Sequence, residues 1–120
     1  MLFLVACGGT KIHENVDESV AKDSMQVMDR IIYNIDKGIS IEEVSEEDNS
    51  LFERYFDKYI EGEDIFSPKL EGVDYDIYIM ASGSLVTYAK GASLESDKES
   101  IKENNDLMMK LIKTGKAAGE

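Results

Sequence analysis

Apolar residues recur at helical spacing along most of this chain. Val16, Val20, Val27, Met28, Ile31, Ile32 and Ile35 predict a first helix from about 16 to 37, amphipathic around roughly half its circumference. Asp17 and Glu18 fall in its first turn and Lys37 in its last, the polarity a helix dipole favours, and Gly38 is placed to stop it. Ser40-Ile41-Glu42-Glu43 has the form of a capping box and opens a second predicted helix, near 41–61. There Leu51, Phe52, Tyr55, Phe56, Tyr59 and Ile60 make a doubled stripe at four-residue spacing, while Glu53, Arg54, Asp57, Lys58 and Glu61 face away. Glu61-Gly62-Glu63-Asp64 and Ser67-Pro68 then mark a loop.

The stretch from 70 to 91 carries two patterns. As a helix, Val73, Ile77, Met80, Ala81, Ser84 and Tyr88 form one stripe and Tyr75, Ile79 and Val86 a second, which suits a helix sandwiched between neighbours. As a hairpin, 75–81 and 84–89 are rich in strand formers around Ser82-Gly83. A lone hairpin is marginal in water and no third strand is visible, which favours the helix. A last helix follows from about 95 to 114, with Ser96-Asp97-Lys98-Glu99 as a second capping box and Leu94, Ile101, Met108, Leu111 and Ile112 as its stripe. Gly115 ends it, and Lys110, Lys113 and Lys116 stand at its negative pole. Asn105 falls within the stripe, where a polar group needs a partner. The expected fold is all-α: an antiparallel four-helix bundle over 16–116, its two ends at one pole. The alternative is an α+β fold with a hairpin at about 75–89.

Composition narrows the function. A 120-residue chain with 42% apolar and 32% charged residues is one globular domain, without any apolar run long enough to span a bilayer as a helix. Its net charge of −12 repels nucleic acid phosphates and anionic lipid head groups alike, and no basic patch along the chain rescues either, so nucleic acid is not an expected partner and only an acyl anchor would hold the domain to a membrane. Glu42, Glu43, Glu46, Glu47 and Asp48 crowd one segment, but without the alternating oxygens and central glycine of a calcium loop they read as a solvated helix start. No metal or cofactor is expected. The single histidine, His13, stands in a linker, and Ser82-Gly83-Ser84 lacks the surroundings of a nucleophile elbow. Carboxylate pairs such as Asp74 with Asp76 are what chance supplies among 25 acids. An enzyme is not expected.

One short motif speaks to location. Leu4-Val5-Ala6-Cys7 resembles a lipobox, at which bacteria attach diacylglycerol to a cysteine and cleave just before it. Ala6 supplies the small residue before the cut, Cys7 is the only cysteine, and Gly8-Gly9-Thr10 is small enough for a tether. The resemblance, to small bacterial lipoproteins, implies that 1–7 is a signal remnant with its lipobox and 8–15 a flexible tether. Because the apolar run is short and lacks a preceding Lys or Arg, it also implies a true signal start further upstream. The plain alternative is an apolar N-terminus with a buried free thiol.

Residues 16–116 would then hang on the extracytoplasmic face of a cell membrane by a palmitate-bearing anchor at Cys7. The expected role is non-catalytic binding of a protein partner. Two alternatives stand beside it. One is binding of a small molecule or cation in an aromatic pocket drawn from Phe52, Tyr55, Phe56, Tyr59 and Tyr88. The other is a phage-type exclusion or immunity lipoprotein that inhibits another protein.

Overall fold

The computed structural model describes residues 11–91 and 95–116, together with the backbone of Leu4 and Val5. Four helices form the expected antiparallel bundle: α1 (Glu18–Asp36), α2 (Glu46–Tyr59), α3 (Gly72–Ala89) and α4 (Glu95–Thr114). Two-residue strands β1 (Leu4–Val5) and β2 (Lys11–Ile12) pair antiparallel ahead of it. Cys7 and 8–10 lie outside the described residues, as does Leu94.

The region from 72 to 89 is helix, not hairpin. Between Asp76 and Tyr88 no residue of α3 is exposed, because α1 packs along one side and α4 along another. The two apolar stripes therefore both find partners. The hydroxyls in this helix turn back on its own carbonyls: Ser84 Oγ donates to Met80 O at 2.8 Å and Thr87 Oγ1 to Gly83 O at 3.0 Å. That satisfies polar groups where apolar neighbours offer nothing. Ser84 also receives a hydrogen bond from Asn104 Nδ2 at 3.3 Å, so the polar link from α4 is made by Asn104 rather than Asn105.

Local signals place the helix ends. Asp17 caps α1, its Oδ1 accepting from Val20 N–H at 3.1 Å, while its own N–H donates to Asp74 Oδ1 at 2.9 Å and ties the starts of α1 and α3 together. The expected helix at 41–61 divides in two. Ile41–Glu43 is a single 3-10 turn, Val44 is extended, and Ser45 caps α2 through Asp48 N–H at 3.1 Å. Ser45 thus offers its oxygen one turn later than Ser40, whose hydroxyl is engaged with Glu43 Oε1 at 3.0 Å. At the last helix, α4 begins at Glu95, so Ser96 lies inside the first turn instead of capping it.

The second half of the expected tether is docked. Ile12 is fully buried, His13 N–H donates to Ile112 O at 2.9 Å, and Asn15 Nδ2 donates to Gly115 O at 3.4 Å. This arm supplies donors to carbonyls that the end of α4 leaves unpaired. His13 is therefore no loose linker residue: it lies against Gly115, and its Nδ1 accepts Asn15 N–H at 3.1 Å.

Candidate functional site

The five aromatic side chains proposed as a pocket are mostly core. Phe52, Tyr55, Tyr59 and Tyr88 are buried and Phe56 is half-buried against them. Tyr55 stacks on Tyr78 of α3 with ring centroids 5.2 Å apart, and Tyr59 meets both edge-on at 5.5 and 5.9 Å. Each buried hydroxyl has a partner: Tyr55 shares a 2.6 Å hydrogen bond with Ser24, Tyr59 donates to Asp23 Oδ2 at 2.6 Å, and Tyr88 donates to Ile39 O at 2.6 Å. Burial pushes the Tyr55 hydroxyl well above its ordinary range. It does the same for Tyr59, with the Asp23 hydrogen bond and charge adding to it. These hydroxyls stay protonated, and that of Tyr59 serves as a donor to Asp23. Tyr88 lines a separate 190 Å³ depression at the far end of the bundle, away from the other four. These rings mainly fill space between helices, and of the five Tyr55 and Tyr88 also line openings to solvent.

What opens to solvent instead is the seam between α1 and α2. A groove of about 490 Å³ runs between Asp23 and Gln26 on one wall and Leu51, Arg54 and Lys58 on the other, with Tyr55 in its lining. It adjoins a wider depression of about 760 Å³ that shares Gln26, Leu51 and Arg54 and reaches Arg30 and Glu47. The walls are mixed in charge, and Leu51 supplies an aliphatic contact.

Polar links hold this seam together. Arg30 Nε and its NH2 nitrogen donate to the two oxygens of Asp48 at 2.9 and 3.1 Å, and buried Asn34 Nδ2 donates to Asp48 at 3.1 Å. Burial alone would raise the Asp48 carboxyl, but hydrogen bonds from Arg30 and Asn34, with the charge of Arg30, outweigh it and hold Asp48 below the usual carboxylate range. Further along, Asp23 accepts from Lys58 Nζ at 2.8 Å as well as from Tyr59. Asp48 is thus turned inward, away from its acidic neighbours Glu42, Glu43, Glu46 and Glu47, which are exposed. Among the described residues no group of three His, Cys, Asp or Glu side chains could hold a metal ion.

No protein-family model, curated protein or solved structure matches this chain. The reading of its chemistry rests on its own residues. Sequence reasoning missed Arg30, Asn34 and Asp48 as a unit, although one signal existed: Asn34 interrupts the first apolar stripe between Ile31 and Ile35. Asp48 was hidden among acids that look alike in sequence. Of the described helices, none is long and apolar enough to cross a membrane.

Proposed function

We propose that this chain is a lipid-anchored bacterial surface protein that works by binding a protein partner rather than by catalysis. The observation that carries the reading is Leu4-Val5-Ala6-Cys7 with its sole cysteine and small following residues. The bundle is compatible with a tether at that place. Lys11 is four residues from Cys7, a reach of at most about 14 Å, and the arm leaves the domain at the pole where α4 ends. Cleavage before Cys7 would remove Leu4 and Val5 and with them the β1–β2 ladder. The arm's bonds to Ile112 and Gly115 do not involve those residues and would persist. The groove along α1 and α2 replaces the aromatic rings as the surface on which a partner is expected, since Arg54 and Leu51 are accessible there.

Palmitate incorporation in a bacterial host tests the anchor, with a complete signal placed ahead of the lipobox. Labelling is expected in the parent chain, and Cys7→Ser is expected to abolish it and release the protein from the membrane fraction. Unchanged membrane fractionation of Cys7→Ser would overturn the proposal.

A further inference from the structure

Between Asp76 and Lys90 α3 carries no charged residue. Named contacts place three neighbours around this helix. Asp74 accepts from Asp17 at the start of α1, Tyr78 stacks on Tyr55 of α2, and Ser84 accepts from Asn104 of α4. At about 100° per residue these lie roughly 180°, 140° and 100° around the helix from Gly83, the last two in opposite senses. Gly83 therefore points away from all three, and nothing lies within 4 Å of a Cβ built on it. Ile79, Met80, Val86 and Thr87 flank it and are half-buried. The row Ser100, Asn104, Leu107 and Leu111 of α4 continues this face without a charge, and Leu107 is 50% exposed. Lys102, on the other flank of α4, reaches Asp36 of α1 at 3.0 Å, and Asp106 falls on that same flank, one turn on. On a molecule of net charge −12, an uncharged strip with open apolar side chains marks a contact surface.

The strip has the same pattern from both ends. Counted from Gly83, Met80 and Val86 stand three residues away, Ile79 and Thr87 four, and Asp76 and Lys90 seven. We propose that this face binds a second copy of the chain, with α3 packed antiparallel on α3 about a two-fold axis at Gly83. That symmetry sets Met80 against Val86, Ile79 against Thr87 and Asp76 against Lys90 of the second copy, each contact made twice. Asp76, Gly83 and Lys90 repeat every seven residues, which keeps them on one seam of two nearly aligned helices. The missing side chain of Gly83 lets the two backbones approach at the crossing. Asp76 also interacts within its own chain, and a carboxylate accepts from several donors at once. Because Ser84 meets Asn104, the axis crosses α4 near Asn105. Glu103 and Lys110 stand on either side of that level, so Glu103 of one copy is turned toward Lys110 of the other. The acids Glu46 and Glu47 line the α1–α2 depression instead. A face that is uncharged along its middle and opposite in charge at its ends thus fits itself, end for end. The strip is about 21 Å long and two helices wide, on the order of 400 Å². That is less than the roughly 800 Å² per partner of a standard interface, so the association is weak. It leaves the α1–α2 groove uncovered and does not rest on the lipid anchor.

Sedimentation equilibrium of the full chain from micromolar to millimolar concentration tests this, under reducing conditions so that Cys7 supplies no disulfide. The mean mass is expected to rise toward twice the monomer value with concentration. Gly83→Gln, whose Cβ meets nothing in its own chain, is expected to stay monomeric with unchanged helical circular dichroism. Asp76→Lys should weaken the dimer about tenfold, since two like-charged pairs replace two opposite ones. Adding Lys90→Asp to that variant reverses both pairs and should restore association. A monomer at every concentration would overturn the proposal and leave the face to a different protein. So would a dimer indifferent to Gly83→Gln, or one that the double exchange fails to restore. Leu107→Lys, at an exposed position, takes the place of Gly83→Gln should that variant lose its helix, with the same two outcomes.

Discussion

Two seams hold this bundle together, by different means. Around α3 the contacts are apolar and close on most sides, and its hydroxyls are satisfied within the helix itself. Between α1 and α2 the apolar contacts lie to the α3 side, where Tyr55 and Tyr59 meet Tyr78. The outer edge is made of polar links and left open as a groove. Apolar packing resists separation through area removed from water and is indifferent to pH. Hydrogen-bonded charges specify register and depend on protonation. The first seam accounts for stability, and the second fixes where α2 lies while keeping a face accessible.

Substitution should separate the two. Ile77→Ala, in the fully buried middle of α3, is expected to cost about 2–5 kcal/mol in urea denaturation, as large core truncations do. A loss under about 1 kcal/mol would remove the α3 seam from its leading place. Asp48→Ala should cost less, about 1–3 kcal/mol, because it strands buried Asn34 without its acceptor while Arg30, 38% exposed, can turn to water. This contribution depends on pH. Asp48 titrates lower in the folded chain than in the unfolded one, so its stabilisation is complete above about pH 4 and is lost as pH falls through the folded value. Stabilities of the parent and Asp48→Ala should therefore converge in strong acid, and a constant gap down to that range would argue against the charge assignment.

A smaller effect is expected where the arm meets α4. Gly115 has a φ of +66°, and a Cβ there would overlap the His13 ring. Gly115→Ala should cost about 1–2 kcal/mol from the backbone conformation alone. It should also accelerate exchange of the His13 amide, leaving the amides in the middle of α3 protected. Uniform loosening would mean that the arm belongs to the cooperative core. Gly83→Ala, in α3, should raise stability by up to about 1 kcal/mol, since no atom outside the local backbone lies within 4 Å of the added Cβ. A loss measured in the same denaturation series would reveal tighter packing along that seam.

Much of this was legible in the chain. The stripes of α1, α2 and α4 and the glycines at 38 and 115 locate three helices, α2 starting five residues later than expected. Of the acidic segment, Glu42, Glu43, Glu46 and Glu47 are exposed as a solvated helix start requires, while Asp48 is buried. The candidate site was less legible. Phe52, Tyr55 and Tyr59 satisfy a helix stripe equally well as core or as pocket wall, and only the approach of Tyr78 from α3 decides for core. Ser40 heads a capping box with Glu43 but caps only the 3-10 turn Ile41–Glu43, so α2 takes its own cap from Ser45, while Ser96 lies within the first turn of α4.

Periodicity and end signals are local. They follow from 3.6 residues per turn, the dipole and the conformations open to glycine. The sequence by itself therefore determined the order of α1, α2 and α4, together with the likeness of Leu4-Val5-Ala6-Cys7 to a lipobox, and favoured a helix over a hairpin at 72–89 without deciding it. Which of many acids turns inward is a different kind of fact. Asp48 is selected by Arg30 and Asn34 on another helix, and the arm by the carbonyls left unpaired at the end of α4. Each depends on groups brought together from distant positions, so only the tertiary structure could decide it.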